Sequence, residues 1–269
     1  MFVVKVPGIN GLGKTKGCEN SGNAILNELK EIYTNEQGKI VNPDLLDLEE
    51  IHLDNSNVER SNELIYKNSL EFFKTKSKTV FLGGDHSITY STTKAFLEYC
   101  KTSEKNPCLI VFDAHPDCME PHKNIPTHEE WLRGLVESGF PSENILLVGV
   151  RNSSLEENSF LKNKGIKTIS MNQFTEDLHE TCDFIMEFSN KKELYVSIDI
   201  DVLDPSFAPS TGYREPGGFT SREFLYLIQR INKIKNLRAI DIVEINEKID
   251  RENNNLTVKL GAKILSELL

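Results

Sequence analysis

Short runs of β-branched and aromatic residues alternate along this chain with longer stretches in which apolar positions recur every three or four residues. The short runs read as strands and the longer ones as helices. Strands are predicted at Phe2 to Val6, Glu50 to Leu53, Lys78 to Leu82, Cys108 to Phe112, Ile145 to Val150, Ile166 to Ser170, Leu194 to Ile200 and Leu237 to Ile245. Helices are predicted at Asn23 to Ile32, Val58 to Lys74, Ser87 to Tyr99, Thr127 to Ser138, Leu155 to Lys164, Phe174 to Asn190, Ser221 to Lys233 and Leu256 to Leu269. Strands separated by helices of about 10 or more residues predict an α/β fold, a mainly parallel β-sheet sandwiched between helices. No linker, low-complexity tract or repeat interrupts the pattern, so residues 1–269 are expected to form a single domain.

The run Cys108 to Phe112 is apolar at every position, as in a strand buried on both faces. It leads into Asp113-Ala114-His115-Pro116-Asp117, where three potential ligands alternate and can converge if the extended geometry persists. The same construction recurs where Tyr195 to Ile198 leads into Asp199-Ile200-Asp201, and Gly83-Gly84-Asp85-His86-Ser87 places His86 at the end of another strand. Functional groups of parallel sheets gather at the carboxyl ends of strands. His86, Asp113, His115, Asp117, Asp199 and Asp201 would there make an oxygen-rich set whose mutual repulsion requires cations, and the donors favour manganese or a similar divalent ion over structural zinc. Two ions sharing carboxylates would lower the pKa of a water between them, which points to metal-assisted hydrolysis.

A formal net charge of −10 argues against a nucleic-acid partner. The chain has neither a charged and apolar leader nor an apolar run long enough to span a membrane, so a cytoplasmic protein with no membrane partner is expected. Five cysteines (Cys18, Cys100, Cys108, Cys118, Cys182) without paired spacing fit a reducing compartment, and Cys118 reads as a small packing residue beside Asp117. One competing motif, Gly8-Ile9-Asn10-Gly11-Leu12-Gly13-Lys14-Thr15, fits the phosphate-binding pattern of nucleotide hydrolases. That reading requires the loop to open directly into a helix, whereas Lys16 to Gly22 carries two glycines and little helix propensity.

The segments Gly83 to Ser87, Asp113 to Asp117 and Ser197 to Pro205 resemble, in order, the three signatures of the ureohydrolase family of arginases and agmatinases. Phe207 to Gly212, Gly149-Val150-Arg151, Asp241 to Glu244 and the early Gly17 to Gly22 are also similar, so the resemblance spans nearly the whole chain. It implies an arginase-like fold and two Mn2+ per chain, with His86 and Asp117 on one ion, His115 and Asp201 on the other, and Asp113 and Asp199 bridging. It further implies a metal-bridging hydroxide that cleaves a linear guanidine to urea and an amine. Asp117 would hold that hydroxide and move its proton, Glu244 would hold the guanidinium, and His128 matches a proton-shuttling histidine. A homo-oligomer, trimer or hexamer, is implied by the resemblance only. Thr127 and Glu130 also read as a capping box that opens a helix around His128.

The loop Cys118 to Pro126 and the segment Asn152-Ser153-Ser154 replace the residues with which arginases of the familiar type read an amino acid, so agmatine is favoured over arginine. A guanidino acid or formiminoglutamate is the alternative. Lys123 or Arg214 could meet a carboxylate, Glu120 could meet an amine, and Tyr213 to Pro216 departs from the family's usual continuation at the pocket mouth. A metal-binding family member without catalysis is the third reading, and a deacetylase on the same fold would be built around one zinc instead. His52, His122 and His179 are expected at the surface, and Asp204-Pro205 is expected to shape a turn.

Overall fold

The computed structural model describes residues 1–11, 13–122 and 125–269. Among the described residues, eight strands form one sheet: β1 (Phe2–Val6), β2 (Asp47–Glu50), β3 (Thr79–Gly83), β4 (Pro107–Phe112), β5 (Ile145–Val148), β6 (Lys167–Ile169), β7 (Glu193–Asp199) and β8 (Leu237–Val243). Every pairing is parallel, and the order is β2-β1-β3-β8-β7-β4-β5-β6. The helices are α1 (Ser21–Leu29), α2 (Val58–Thr75), α3 (Ile88–Thr102), α4 (Trp131–Glu137), α5 (Leu155–Lys164), α6 (Met171–Glu176), α7 (Leu178–Phe188), α8 (Ser221–Ile231), α9 (Glu247–Asp250) and α10 (Leu256–Leu268).

Successive side chains of a strand point to opposite faces, and the two cores divide accordingly. Cys108, Ile110 and Phe112 of β4 join α1, α7, α8 and α10 in one core, while Leu109 and Val111 join α2, α3, α4 and α5 in the other. Each of these β4 side chains is at most 1% exposed, so the strand is apolar throughout because both of its faces are covered. Burying one such side chain is worth about 1.5–3 kcal/mol relative to leaving it in water.

The chain does not lay the strands down in spatial order. After β3 it crosses to β4 and runs outward through β5 and β6, and only then do β7 and β8 fill the space between β4 and β3. The four central strands, β3, β8, β7 and β4, thereby bring the ends of three separated sequence motifs and of the Glu244 segment side by side.

Three predicted elements differ. The strand expected at Glu50 to Leu53 lies at Asp47–Glu50, an edge strand of mostly exposed polar residues that pairs with β1 through its backbone, with Phe2 opposite Asp47. The helix expected from Phe174 to Asn190 is two, α6 and α7, because Asp177 is extended (φ −151°) and its side chain caps α7 at the Glu180 N–H. The helix expected from Thr127 starts at Trp131, and only half of the capping box forms: the Glu130 carboxylate accepts from the Thr127 N–H at 3.0 Å, while the Glu130 N–H donates to the Thr127 carbonyl and not to its hydroxyl oxygen. Among the described residues no helix is long and apolar enough to cross a membrane.

Candidate metal and catalytic site

At the carboxyl edge of the sheet, three carboxylates close on one imidazole nitrogen. Nδ1 of His86, just beyond β3, lies 3.1 Å from Asp113 Oδ2, 2.9 Å from Asp117 Oδ2 and 3.2 Å from Asp199 Oδ2. Beside this group, His115 Nδ1 lies 2.9 Å from Asp201 Oδ2 and 3.6 Å from Asp113 Oδ1. Two ligand groups result, His86 with Asp113 and Asp199, and Asp113 with His115 and Asp201, sharing Asp113. Asp117 touches the first through His86, while its Oδ2 also accepts the indole N–H of Trp131 at 2.9 Å.

The local backbone explains the convergence. Asp113 Oδ1 accepts the N–H of His115, Asp199 Oδ1 accepts that of Asp201, and Asp201 Oδ1 accepts that of Ala114, so each carboxylate is tied to the turn that carries the next ligand. Asp117 and Glu244 both have left-handed backbones, φ +50° and +64°, sparsely populated by non-glycine residues. Glu244 is held there by its own N–H to the Gly84 carbonyl (3.0 Å) and by its Oε1, which accepts the His86 N–H at 2.8 Å. Its charge is not balanced by Arg238, whose guanidinium instead caps the Phe73 and Ser77 carbonyls.

Charge within this cluster is one-sided. Burial, and then the charge of Asp113, push the Asp117 carboxyl up to about 7. Burial and then Asp201 and Asp113 raise Asp199 far above the usual carboxylate range, and burial followed by Asp85 does the same to Glu244. Burial opposes charge on His115, but Asp113 and Asp201 outweigh it and hold the imidazole well above its ordinary value. His86 Nδ1 and Asp113 Oδ2 are buried without a hydrogen-bond partner, among crowded carboxylates. A buried nitrogen lone pair, shared carboxylates and a deficit of positive charge are what divalent cations would satisfy, so the donor set fits two such ions.

The imidazole of His86 is oriented from behind. Its Nε2 is 2.9 Å from Ser197 Oγ, whose hydroxyl donates to Asp241 Oδ1 at 2.6 Å, while Asp241 Oδ2 accepts from Tyr195 and Thr89. A proton on Nε2 satisfies this chain and would free the Nδ1 lone pair for a cation. Trp131 packs on the same ring, with centroids 4.7 Å apart. Trp131 and the roles of Ser197 and Asp241 escaped the sequence reading, although a carboxylate inside the apolar run of β8 signals a buried partner.

The cluster forms the floor of a cleft of about 370 Å³ that also contains Glu244, His128, Met119, Glu129, Tyr213 and Glu215. His128 is 4% exposed, and neither ring nitrogen has a hydrogen-bond partner among the described residues. Burial keeps it below its ordinary pKa; its Nε2 lies 3.7 Å from Glu129 and its ring packs 5.5 Å from that of Tyr213. Cys18, in the first loop, brings Sγ to 3.9 Å from Glu244 Oε2, and burial followed by that carboxylate holds its thiol protonated.

Other candidates fall outside the cleft. Glu120 is 70% exposed and turned toward Arg133, Arg214 is exposed, and Lys123 lies outside the described residues. His52, His122 and His179 are exposed, and Asp204 shapes its turn by accepting from Ser206 and Gly217. Cys118 is buried with its thiol toward the Glu157 carbonyl. The Gly8 to Thr15 segment does not open into a helix, since α1 begins at Ser21. The amides at its start are also engaged, since Gly8 N–H bonds the Val6 carbonyl, Ile9 N–H bonds Asn55 and Asn10 N–H bonds Asp85.

Comparison with known proteins agrees with this construction. The family model described as the Arginase family matches residues 2–269. Rice (Oryza sativa subsp. indica) arginase 1, mitochondrial, is 32% identical over 195 residues, covering 71% of this chain and 54% of that protein. Proclavaminate amidinohydrolase of Streptomyces clavuligerus is 30% identical over 202 residues, covering 73% of this chain and 62% of that one, so the chain spans little more than half the length of these relatives. Among solved structures, formimidoylglutamase from Bacillus subtilis superposes with a TM-score of 0.88 at 25% identity, over 99% of this chain and 84% of that one. The solved structure of the Streptomyces amidinohydrolase gives 0.87 at 25% identity, over 99% and 89%. With the family model matching residues 2–269 and the three ligand motifs gathered with Glu244 on four adjacent strand ends, this chain belongs to the Arginase family.

Proposed function

We propose that this protein is a binuclear manganese hydrolase that cleaves a linear guanidine of the agmatine type to urea and an amine. The observation that carries the reading is the pair of ligand groups sharing Asp113 on the floor of the cleft that holds Glu244. His86, Asp113, Asp117 and Asp199 would hold one cation and His115, Asp113 and Asp201 the other. When bound, these ions would supply the Lewis acidity that makes water nucleophilic near neutral pH.

The chain's own groups supply orientation and proton handling. The Glu244 carboxylate takes the guanidinium by charge-assisted hydrogen bonds and sets its carbon over the ligand cluster. Asp117 keeps Oδ2 toward Trp131 and His86 and has Oδ1 to accept the proton released from water, which it passes to the departing nitrogen as the C–N bond breaks. His128, buried beside the cleft and kept neutral, relays protons between the leaving amine and solvent.

The rest of the lining bears on the substrate. Glu129, Glu157 and Glu215 face the cleft, and no Lys or Arg is among its described lining residues, which supports a substrate whose far end is cationic or neutral. A guanidino acid or formiminoglutamate is the second reading, favoured by the formimidoylglutamase superposition. Lys14, whose Nζ lies 4.2 Å from the Tyr213 ring centroid, would then receive the carboxylate.

The test is product release by Mn2+-loaded protein with agmatine, arginine, guanidinobutyrate, guanidinopropionate and formiminoglutamate. Urea from agmatine, reduced at least about 100-fold in Asp117→Ala, is the expected result. Formamide from formiminoglutamate would transfer the activity to the second reading. No turnover of any of the five, with two Mn2+ bound, would refute the hydrolase and leave a metal-binding member without catalysis.

A further inference from the structure

The two histidines of the ligand cluster are supported in different ways. Behind His86 stands the buried Ser197 and Asp241 relay, closed off from the cleft. Behind His115, Nε2 faces a carboxylate that belongs to the cleft wall: Glu215 Oε1 at 3.5 Å, with side chains 21% and 25% exposed. The same Oε1 accepts from the Asn152 amide at 2.6 Å, which fixes the carboxylate against the ring.

Glu215 sits on a loop, but the loop is anchored to the strand ends that carry the ligands. The N–H groups of Arg151 and Asn152 both bond the Ala114 carbonyl, next to His115. The Arg151 guanidinium then bonds the carbonyls of Asp201 at 2.7 Å, Val202 at 3.2 Å and Glu215 at 2.7 Å. One residue pair thus holds the end of β4, the end of β7 and the Glu215 loop in a fixed relation.

We infer that Glu215 is the positioning residue of His115, which orients its ring and tautomer so that the ion held by Asp113, His115 and Asp201 is retained. This rests on the metal-site reading above. Outer partners of ligand histidines fix the ring and raise its basicity, and their loss costs about 10- to 100-fold in metal affinity. Because this partner is on the loop and the Ser197 relay is on the sheet, each acts on its own ion.

The experiment is Mn2+ titration of wild type, Glu215→Gln and Ser197→Ala, read by calorimetry and by the electron paramagnetic resonance signal of coupled Mn2+ pairs, with thermal unfolding of the metal-free proteins as a fold control. Wild type is expected to bind two ions. Glu215→Gln should weaken one of them about 10- to 100-fold and lose the coupled signal at limiting Mn2+, with the other affinity and the metal-free melting temperature unchanged. Equal weakening of both ions in Glu215→Gln, or two ions at wild-type affinity, would overturn the assignment while leaving the two-ion reading intact. Wild type binding no Mn2+ would overturn both.

Discussion

Lys78 stands at the amino end of β3, the opposite end of the sheet from the ligand cluster, and it is half-buried. Its Nζ reaches Asn232 Oδ1 at 2.6 Å and the Leu268 carbonyl at 3.3 Å, and burial, then the charge of Lys39, lowers it to about 8. In an unfolded chain it titrates near 10.4. Between those values the folded protein has released a proton that the unfolded chain still binds, so this residue makes stability rise with pH across that window. Urea unfolding of wild type and Lys78→Met at pH 7 and pH 10 should show wild type gaining relative to the variant at the higher pH; parallel behaviour would refute it. The contrast with the cluster explains what single residues reveal in sequence. Asp113, His115 and Asp117 were legible because their spacing of two makes sense only at a strand end. Trp131 and Glu215 were not, because their partners, Asp117 and His115, lie across loops whose course no local pattern fixes.

At the scale of elements, the close approach of the first loop to the end of β3 fixes the site's geometry. Gly8 N–H and Gly84 N–H share the Val6 carbonyl, Asp85 N–H bonds the Gly8 carbonyl, and the Gly84 carbonyl receives Glu244. A Cβ on Gly84 would come within 1.9 Å of the Gly8 carbonyl oxygen. Gly84→Ala should therefore cost about 1–3 kcal/mol in urea unfolding, as overpacking does, and, on the proposed role of Glu244, raise KM more than it lowers kcat. An unchanged midpoint would show that the loop yields. The buried strands β4, β7 and β8 were readable because burial on both faces writes a continuous apolar run. The edge strand β2 was misplaced because it is exposed and polar and forms by backbone pairing alone, and the break at Asp177 was hidden because apolar spacing continues from α6 into α7.

For the whole molecule, a buried cluster of four carboxylates in a chain of formal net charge −10 would gain stability from the cations proposed above. A ligand present at 100 times its Kd stabilises by about 2.7 kcal/mol, which in a domain of this size corresponds to a rise on the order of 5 to 10 °C. Exhaustive chelation should lower the melting temperature by that amount and added Mn2+ should restore it, whereas Asp113→Ala should respond to neither treatment. A melting temperature indifferent to chelator would count against a structural share for the ions. The strand order has a consequence for biogenesis. Until β7 and β8 emerge from the ribosome, β3 and β4 cannot be joined, and the nascent chain carries two half-sheets with open, apolar inner edges. Such edges invite pairing with other chains, so the interval between synthesis of β6 and insertion of β8 is when the growing chain is most open to aggregation.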